Sequence, residues 1–403
     1  MNRTAAIILA TVCAASAPAE DFLDRVDEAL TRSLFDDRFR VRLSGTLDLE
    51  AYHVSQPPFG LINTTSRDVF NPRLSLFLDV QAGSSLYAFV QARVDRGYDP
   101  SDDGPRGRLD EYAIRWSPYS DGRFNLQAGK FSTVVGSWMS RHLSWDNPFI
   151  TAPVPYERVT AISDFDIPSS AQEFTHGHDE DSSYDYNPVL WGAVYTSGLS
   201  ISGKLGMFEY AAELKNAAPS SRPDSWDARE AGFSHPTYGA RLGLRPTPAW
   251  NLGLSASHGP YLRREVQSLL PAGRGIGDYE QTLLGADLSF ARRHLQIWGE
   301  AWHSRFDVPR VGNADTFTYF IEAKYKLTTE SFAALRWNQQ FFSEVPDGTG
   351  GTKSWGRDLW RTDAALGYRF TPHTQLKLQY SLEHEAGPRD FSHMVGAQFT
   401  VRF

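Results

Sequence analysis

This sequence is almost without sulfur and without long apolar runs. Its one cysteine, Cys13, lies in an N-terminal stretch that reads as a secretory leader. Met1, Asn2 and Arg3 form a short basic start, and Thr4 to Ala14 an apolar core too short to cross a bilayer as a helix. Small residues allow cleavage after Ala17 or after Ala19, so a signal peptide is expected within residues 1–19 and Cys13 leaves with it. Val12 is bulkier than the residue usually found before a lipidated cysteine, which argues against a lipoprotein. A mature chain without a thiol has no disulfide, no Cys-ligated metal and no cysteine nucleophile.

Beyond the leader, no apolar run reaches the roughly eighteen residues that a helical membrane span needs, and the mean hydropathy is −0.40. That excludes helical spans but not membrane strands, because a lipid-facing strand is apolar only at alternate positions. Basic residues are the minority, 40 against 48 acidic, for a net charge of −8. Loss of Arg3 makes it about −9, and nucleic acid is not an expected partner. Aromatics are plentiful at 13%, with 11 Trp and 17 Tyr. Girdles at the two membrane interfaces are a physical use for such a surplus.

A period of two runs from about residue 39 to the end. In Phe391 to Phe403 one face carries Phe391, Val395, Ala397, Phe399, Val401 and Phe403, and the other Ser392, Gln398, Thr400 and Arg402. An apolar-out, polar-in strand with an aromatic at its end is expected of an outer-membrane barrel. Arg40 to Tyr52 alternates likewise, with Leu43 and Leu47 outward against Arg42 and Asp48. Such segments recur with connections that are long and short by turns, including predicted strands at 189–198 and 200–214 and a predicted long link at 307–314. The predicted fold is all-β: a transmembrane antiparallel β-barrel of about sixteen strands (range roughly 14 to 18) with short periplasmic turns and long extracellular loops. A soluble all-β protein does not need that asymmetry. The barrel is expected over 38–403. Residues 20–37, where Phe22, Val26, Leu30 and Leu34 recur at helical spacing, form a short periplasmic segment.

The longest connection, 134–188, is too long to be idle. Its first half is rich in Trp, Arg, His and Pro, and its second half is acidic. A loop of this kind folded into a barrel narrows the bore and sets the charge at the constriction. Trp138, Arg141, His142 and Trp145 are the constriction candidates, against the alternative of ordinary loop packing. Lumen-lining candidates are Arg40, Arg42, Arg93, Arg115, Arg241, Arg245, Glu300, Glu322, Lys324, Arg336, Arg361 and Arg369. With Asp48, Asp95, Asp287 and Asp363 also inward, the signs are mixed, and a field across the lumen is the expected result. Inward Tyr87, Phe89, Trp298, Trp302 and Phe320 leave a carbohydrate path open.

The run LQAGKFSTVVGSW, in which a strand ending in GKF leads into a long inserted loop, resembles the phosphate-selective porin (porin O/P) family. GADLSF, GEAW, YFIEAKYKL and ALGYRF later in the chain are similar to the same family's second half. The resemblance implies a sixteen-stranded, trimeric pore for small hydrophilic solutes, without delivering phosphate selectivity, since the inward charges here are mixed.

His176, His178, Asp179 and Asp181 have metal-capable side chains, but in a flexible acidic loop they read as solvated, so no metal is expected. Ser, His and Asp residues stand in no recognisable catalytic context. The sequence therefore points to a passive channel with no cofactor and no catalytic residues, in contact with outer-membrane lipid, assembled as a homotrimer and passing small hydrophilic solutes, anions among them. An exporter of carbohydrate or anionic polysaccharide is the alternative, and a barrel protease or lipase comes after it.

Overall fold

Alternation of apolar and polar side chains becomes a closed wall of sixteen antiparallel strands. In chain order these are β1 (Phe39–Val54), β2 (Asp68–Ala82), β3 (Leu86–Asp95), β4 (Arg106–Trp116), β5 (Asn125–Ser132), β6 (Tyr195–Leu205), β7 (Phe208–Lys215) and β8 (Thr237–Thr247). They continue as β9 (Trp250–Pro260), β10 (Glu280–Arg292), β11 (Leu295–Val308), β12 (Gly312–Lys326), β13 (Ser331–Phe342), β14 (Leu359–Thr371), β15 (Thr374–Glu385) and β16 (Ser392–Arg402). This computed structural model describes residues 16–36, 38–57, 59–62, 66–95, 106–176, 185–222, 233–387 and 391–403. Most of the expected signal peptide lies outside the described residues, as does 96–105.

β16 pairs with β1 from Met394 opposite Val54 to Arg402 opposite Thr46. A closed sheet leaves no edge whose N–H and C=O groups would face hydrocarbon unpaired. Leu47 and Leu378 lie exposed on the outside, in the same rows as Leu43, Val90, Leu376, Phe399 and Val401, while Asp48, Glu50, Gln379 and Thr400 are buried inside. Short turns and the two ends of the barrel sheet share one rim.

Two predicted segments differ from the structure. Of the predicted 189–198 strand only 195–198 forms, as the start of β6: the loop runs on to residue 194, and the hairpin turn is at Gly206 and Met207 instead of residue 199. Val189, Leu190 and Val194 are apolar because they join Val135, Trp138 and Tyr156 in a buried cluster under the loop, not because they face lipid. The 307–314 link is only residues 309–311, because β11 and β12 extend beyond their predicted ends.

The segment before the barrel is a helix, α1 (Ser16–Ala29), followed by a short strand, Thr31–Leu34. That strand pairs with Phe39 to Arg42 of β1. It takes up the part of β1 that β16, ending opposite Thr46, leaves without a neighbour. Asp24 bonds the His373 ring at 2.8 Å, and Asp27 receives Arg42 at 3.0 Å, so the helix is held on the rim. At the seam, Phe403 and Gly45 exchange backbone hydrogen bonds of 3.0 and 2.9 Å. A Cβ on Gly45 would stand 2.6 Å from the Phe403 ring and 2.9 Å from the Ser75 carbonyl. Gly45→Val is therefore expected to cost about 1–3 kcal/mol through overpacking. Its measure is a lower temperature for loss of the compact band on unheated gels, and an unchanged transition would contradict this account of the seam.

Candidate functional site

Residues 133–158 of the connection between β5 and β6 turn inward, and the wall side chains that hold them act mainly on their backbone. Entry requires glycine: Gly136 has φ +82°, and a Cβ there would lie 2.8 Å from the Tyr156 hydroxyl and 2.9 Å from Trp302. Glu300 on β11 is the first anchor. Its carboxylate accepts from Ser137 N at 2.7 Å, Ser137 Oγ at 2.9 Å and Trp138 N at 2.7 Å. Tyr156 Oη at 2.5 Å and Trp302 Nε1 at 3.1 Å donate to it as well. A buried carboxylate with so many donors is fully compensated, which fixes the loop's start to the wall.

Further along, Lys377 donates to the carbonyls of Ser144, Asn147 and Phe149 at 2.7, 3.0 and 3.1 Å. Gln379 Oε1 accepts from Ile150 N at 2.6 Å and Thr151 N at 3.2 Å. Asn338 Oδ1 accepts from Val154 N at 3.1 Å, and Arg361 donates to Ala152 O at 2.6 Å and to Glu157 at 2.5 Å. All of these wall groups are buried and inward on β11 to β15. The loop is thus a rigid shelf on that side of the lumen.

On the opposite side an open cavity of about 120 Å³ remains between the shelf and β1 to β4. Its wall carries Asp48, Arg73, Arg93, Arg108 and Asp110; its shelf side carries Trp138, His142, Leu143, Asn147 and Trp191. The charges are paired along the wall. Arg73 meets Asp48 at 3.2 Å and Glu50 at 2.6 Å; Arg93 meets Asp95 at 3.2 Å and Asp110 at 3.1 Å. Arg108 meets Asp95 at 2.7 Å and Asp110 at 2.9 Å. The expected field between facing walls is here replaced by neighbour-to-neighbour pairing: Asp48 faces Arg73 across β1 and β2, while Arg93 and Arg108, opposite each other on β3 and β4, share Asp95 and Asp110.

The four constriction candidates lie on the shelf but point different ways. Arg141 is buried, bonded to Glu322, with its guanidinium 4.5 Å over the Trp298 ring. Trp138 packs against Tyr156 at 4.6 Å between centroids, and Trp145 is covered by Arg402 at 4.2 Å and Arg369 at 5.0 Å. His142 lines the cavity, its ring bonded to Met139 O at 2.6 Å and to the Tyr195 hydroxyl at 2.5 Å. Burial pushes its pKa down to about 4. A titration step near the free-imidazole value is therefore not expected of His142. Since the folded-state pKa lies below the unfolded one, the loop's stability falls as pH drops from about 6.5 toward 4. His142 should add no step to the reversal potential between roughly pH 5.5 and 8, and a step near 6.5 that disappears in His142→Gln would contradict this.

Among the lumen-lining candidates, Arg93 borders the cavity, and Glu300, Glu322, Arg336 and Arg361 are buried where wall and shelf meet. Arg241 pairs with Asp287 at 2.7 Å, Arg245 with Glu209 at 2.9 Å, and Arg115 bonds Gln127 at 2.8 Å. Lys324 sits 4.2 Å over the Phe332 ring and Arg369 bonds Gln375 at 3.1 Å, while Arg40 and Arg42 are exposed near the rim of the short turns. The five inward aromatics form no single face: Trp302 and Phe320 are sealed under the shelf, and Tyr87 and Phe89 stack on each other at 5.7 Å. His176 bonds Gln172 O on a helical turn, while His178, Asp179 and Asp181 lie outside the described residues. Sequence reading passed over Arg73, Arg108 and Lys377. Their signal was present, since each alternates with outward apolar neighbours such as Leu74, Leu109 or Leu376.

No protein-family model matches this chain, and no curated protein matches it; the resemblance to phosphate-selective porins thus gains no support there. Solved structures do match. A Salmonella typhi OmpF complex with daunomycin has a TM-score of 0.59 at 9% identity, over 92% of this chain and 100% of that one. The anion-selective porin from Comamonas acidovorans gives 0.57 at 11%, over 91% and 100%. A loop-deletion mutant of OmpT, an outer membrane protein of Vibrio cholerae, gives 0.56 at 10%, over 91% and 100%. At such identities the likeness is one of fold, and the fold is that of sixteen-stranded outer-membrane porins.

Proposed function

We propose that this chain is a porin of a Gram-negative-type outer membrane, a passive channel for small hydrophilic solutes whose passage is the cavity between the shelf and β1 to β4. The observation that carries the reading is the shelf itself: buried wall groups hold an inserted loop by its backbone and leave a lined opening between it and β1 to β4. A homotrimer fits this reading, as does membership of the wider porin class. Anion preference should be weak, because Arg73, Arg93 and Arg108 are matched by Asp48, Glu50, Asp95 and Asp110.

Purified protein in a planar bilayer under a salt gradient provides the test. Stepwise, steady conductance with a reversal potential near zero is the expected result, with steps in threes if the trimer is right. Absence of steady current would overturn the channel and favour a barrel hydrolase.

A further inference from the structure

The cavity's two sides differ in kind, and its charged side is layered. Arg93 and Arg73 side chains are 20% and 13% exposed, whereas Asp48, Glu50, Asp95 and Asp110, which hold them, are 5% exposed or less. A solute in the passage therefore meets guanidinium N–H donors, with the balancing carboxylates behind them in the wall. A solute anion gains little, since each guanidinium is already neutralised by carboxylates at 2.6 to 3.2 Å. A cation meets carboxylates only behind these donors, because Asp48 and Asp110 reach the lining from positions 5% exposed or less. What such a surface rewards is a neutral group that accepts hydrogen bonds.

The facing side supplies the complement. Leu143 and Trp191 of the shelf and Leu61 of the first long loop line the cavity there, and His142 beside them, its pKa pushed down to about 4 by burial, is uncharged at neutral pH. A monosaccharide ring has a C–H face for apolar contact and a hydroxyl edge rich in acceptors.

We infer that the passage is a subsite for small neutral sugars and polyols, selecting by hydrogen-bond acceptors instead of net charge. This rests on the cavity being the permeation path, and it places a carbohydrate route on residues other than the aromatics sealed under the shelf.

The test is entry into proteoliposomes containing the full chain, with glucose, gluconate and glucosamine as probes of similar size, alongside single-channel recording. Glucose should enter at least about threefold faster than either ion, and glucose should reduce the single-channel current in a concentration-dependent way. Arg93→Gln should lower glucose entry about threefold relative to glycerol. Arg93→Lys, which keeps a charge and donors beside Asp110, should restore part of it, and both variants must still give channel steps. Gluconate entering fastest would overturn the inference in favour of anion selection. Glucosamine entering fastest would overturn it in favour of cation selection, and equal rates with no glucose effect on current would reduce the passage to a plain sieve. In those outcomes the channel reading stands; loss of all current would instead remove the reading on which the inference rests.

Discussion

Glu300→Ala should release the loop and open the bore: single-channel conductance is expected to rise at least about twofold with noisier steps, while the barrel itself persists. One carboxylate satisfies the Ser137 amide and hydroxyl, the Trp138 amide, the Tyr156 hydroxyl and the Trp302 indole. Its removal leaves these donors buried and unpaired. Losses of this kind are on the order of 3–5 kcal/mol. The strand ladders do not depend on Glu300, so the compact heat-modifiable form should remain. Tyr156→Phe removes one donor only and should cost about 1 kcal/mol with unchanged conductance. If Glu300→Ala conducts and sieves like the wild type, the shelf does not define the passage.

The second large effect separates two arginines. Arg93 borders the cavity and is partly exposed, whereas Arg141 is buried against Glu322 and over the Trp298 ring. Arg93→Glu changes the wall by two charge units where a permeating ion passes. At about 4 Å in water each unit is worth about 1 kcal/mol, so about 2 kcal/mol in all favours a cation, and the cation-to-anion permeability ratio should rise at least about thirtyfold at low salt. It should shrink toward 1 M salt as screening sets in. Arg141→Glu places a second carboxylate against Glu322 in a buried site. Its expected result is loop displacement and raised conductance, not a clean change of selectivity. A selectivity shift from Arg141→Glu larger than that from Arg93→Glu would show that ions pass on the other side of the shelf.

Sequence alone determined the wall. Alternation along β1 and β16 is enough to assign Leu47 and Val401 to lipid and Asp48 and Thr400 to the interior, because a strand's side chains alternate with a period of two whatever its neighbours are. It also marked the 134–188 connection as exceptional by its length. It could not separate apolar loop residues from strand residues at Val189 to Val194, since burial under a loop and exposure to lipid ask for the same chemistry. Nor could it decide partners. Glu300 and Trp138, or Lys377 and Phe149, are more than 160 residues apart in sequence, and only closure of the barrel brings them together. Strand register, not local pattern, then set Arg93 beside Asp110 and turned Arg141 to the wall. Which charge a solute meets is therefore a property of the closed structure.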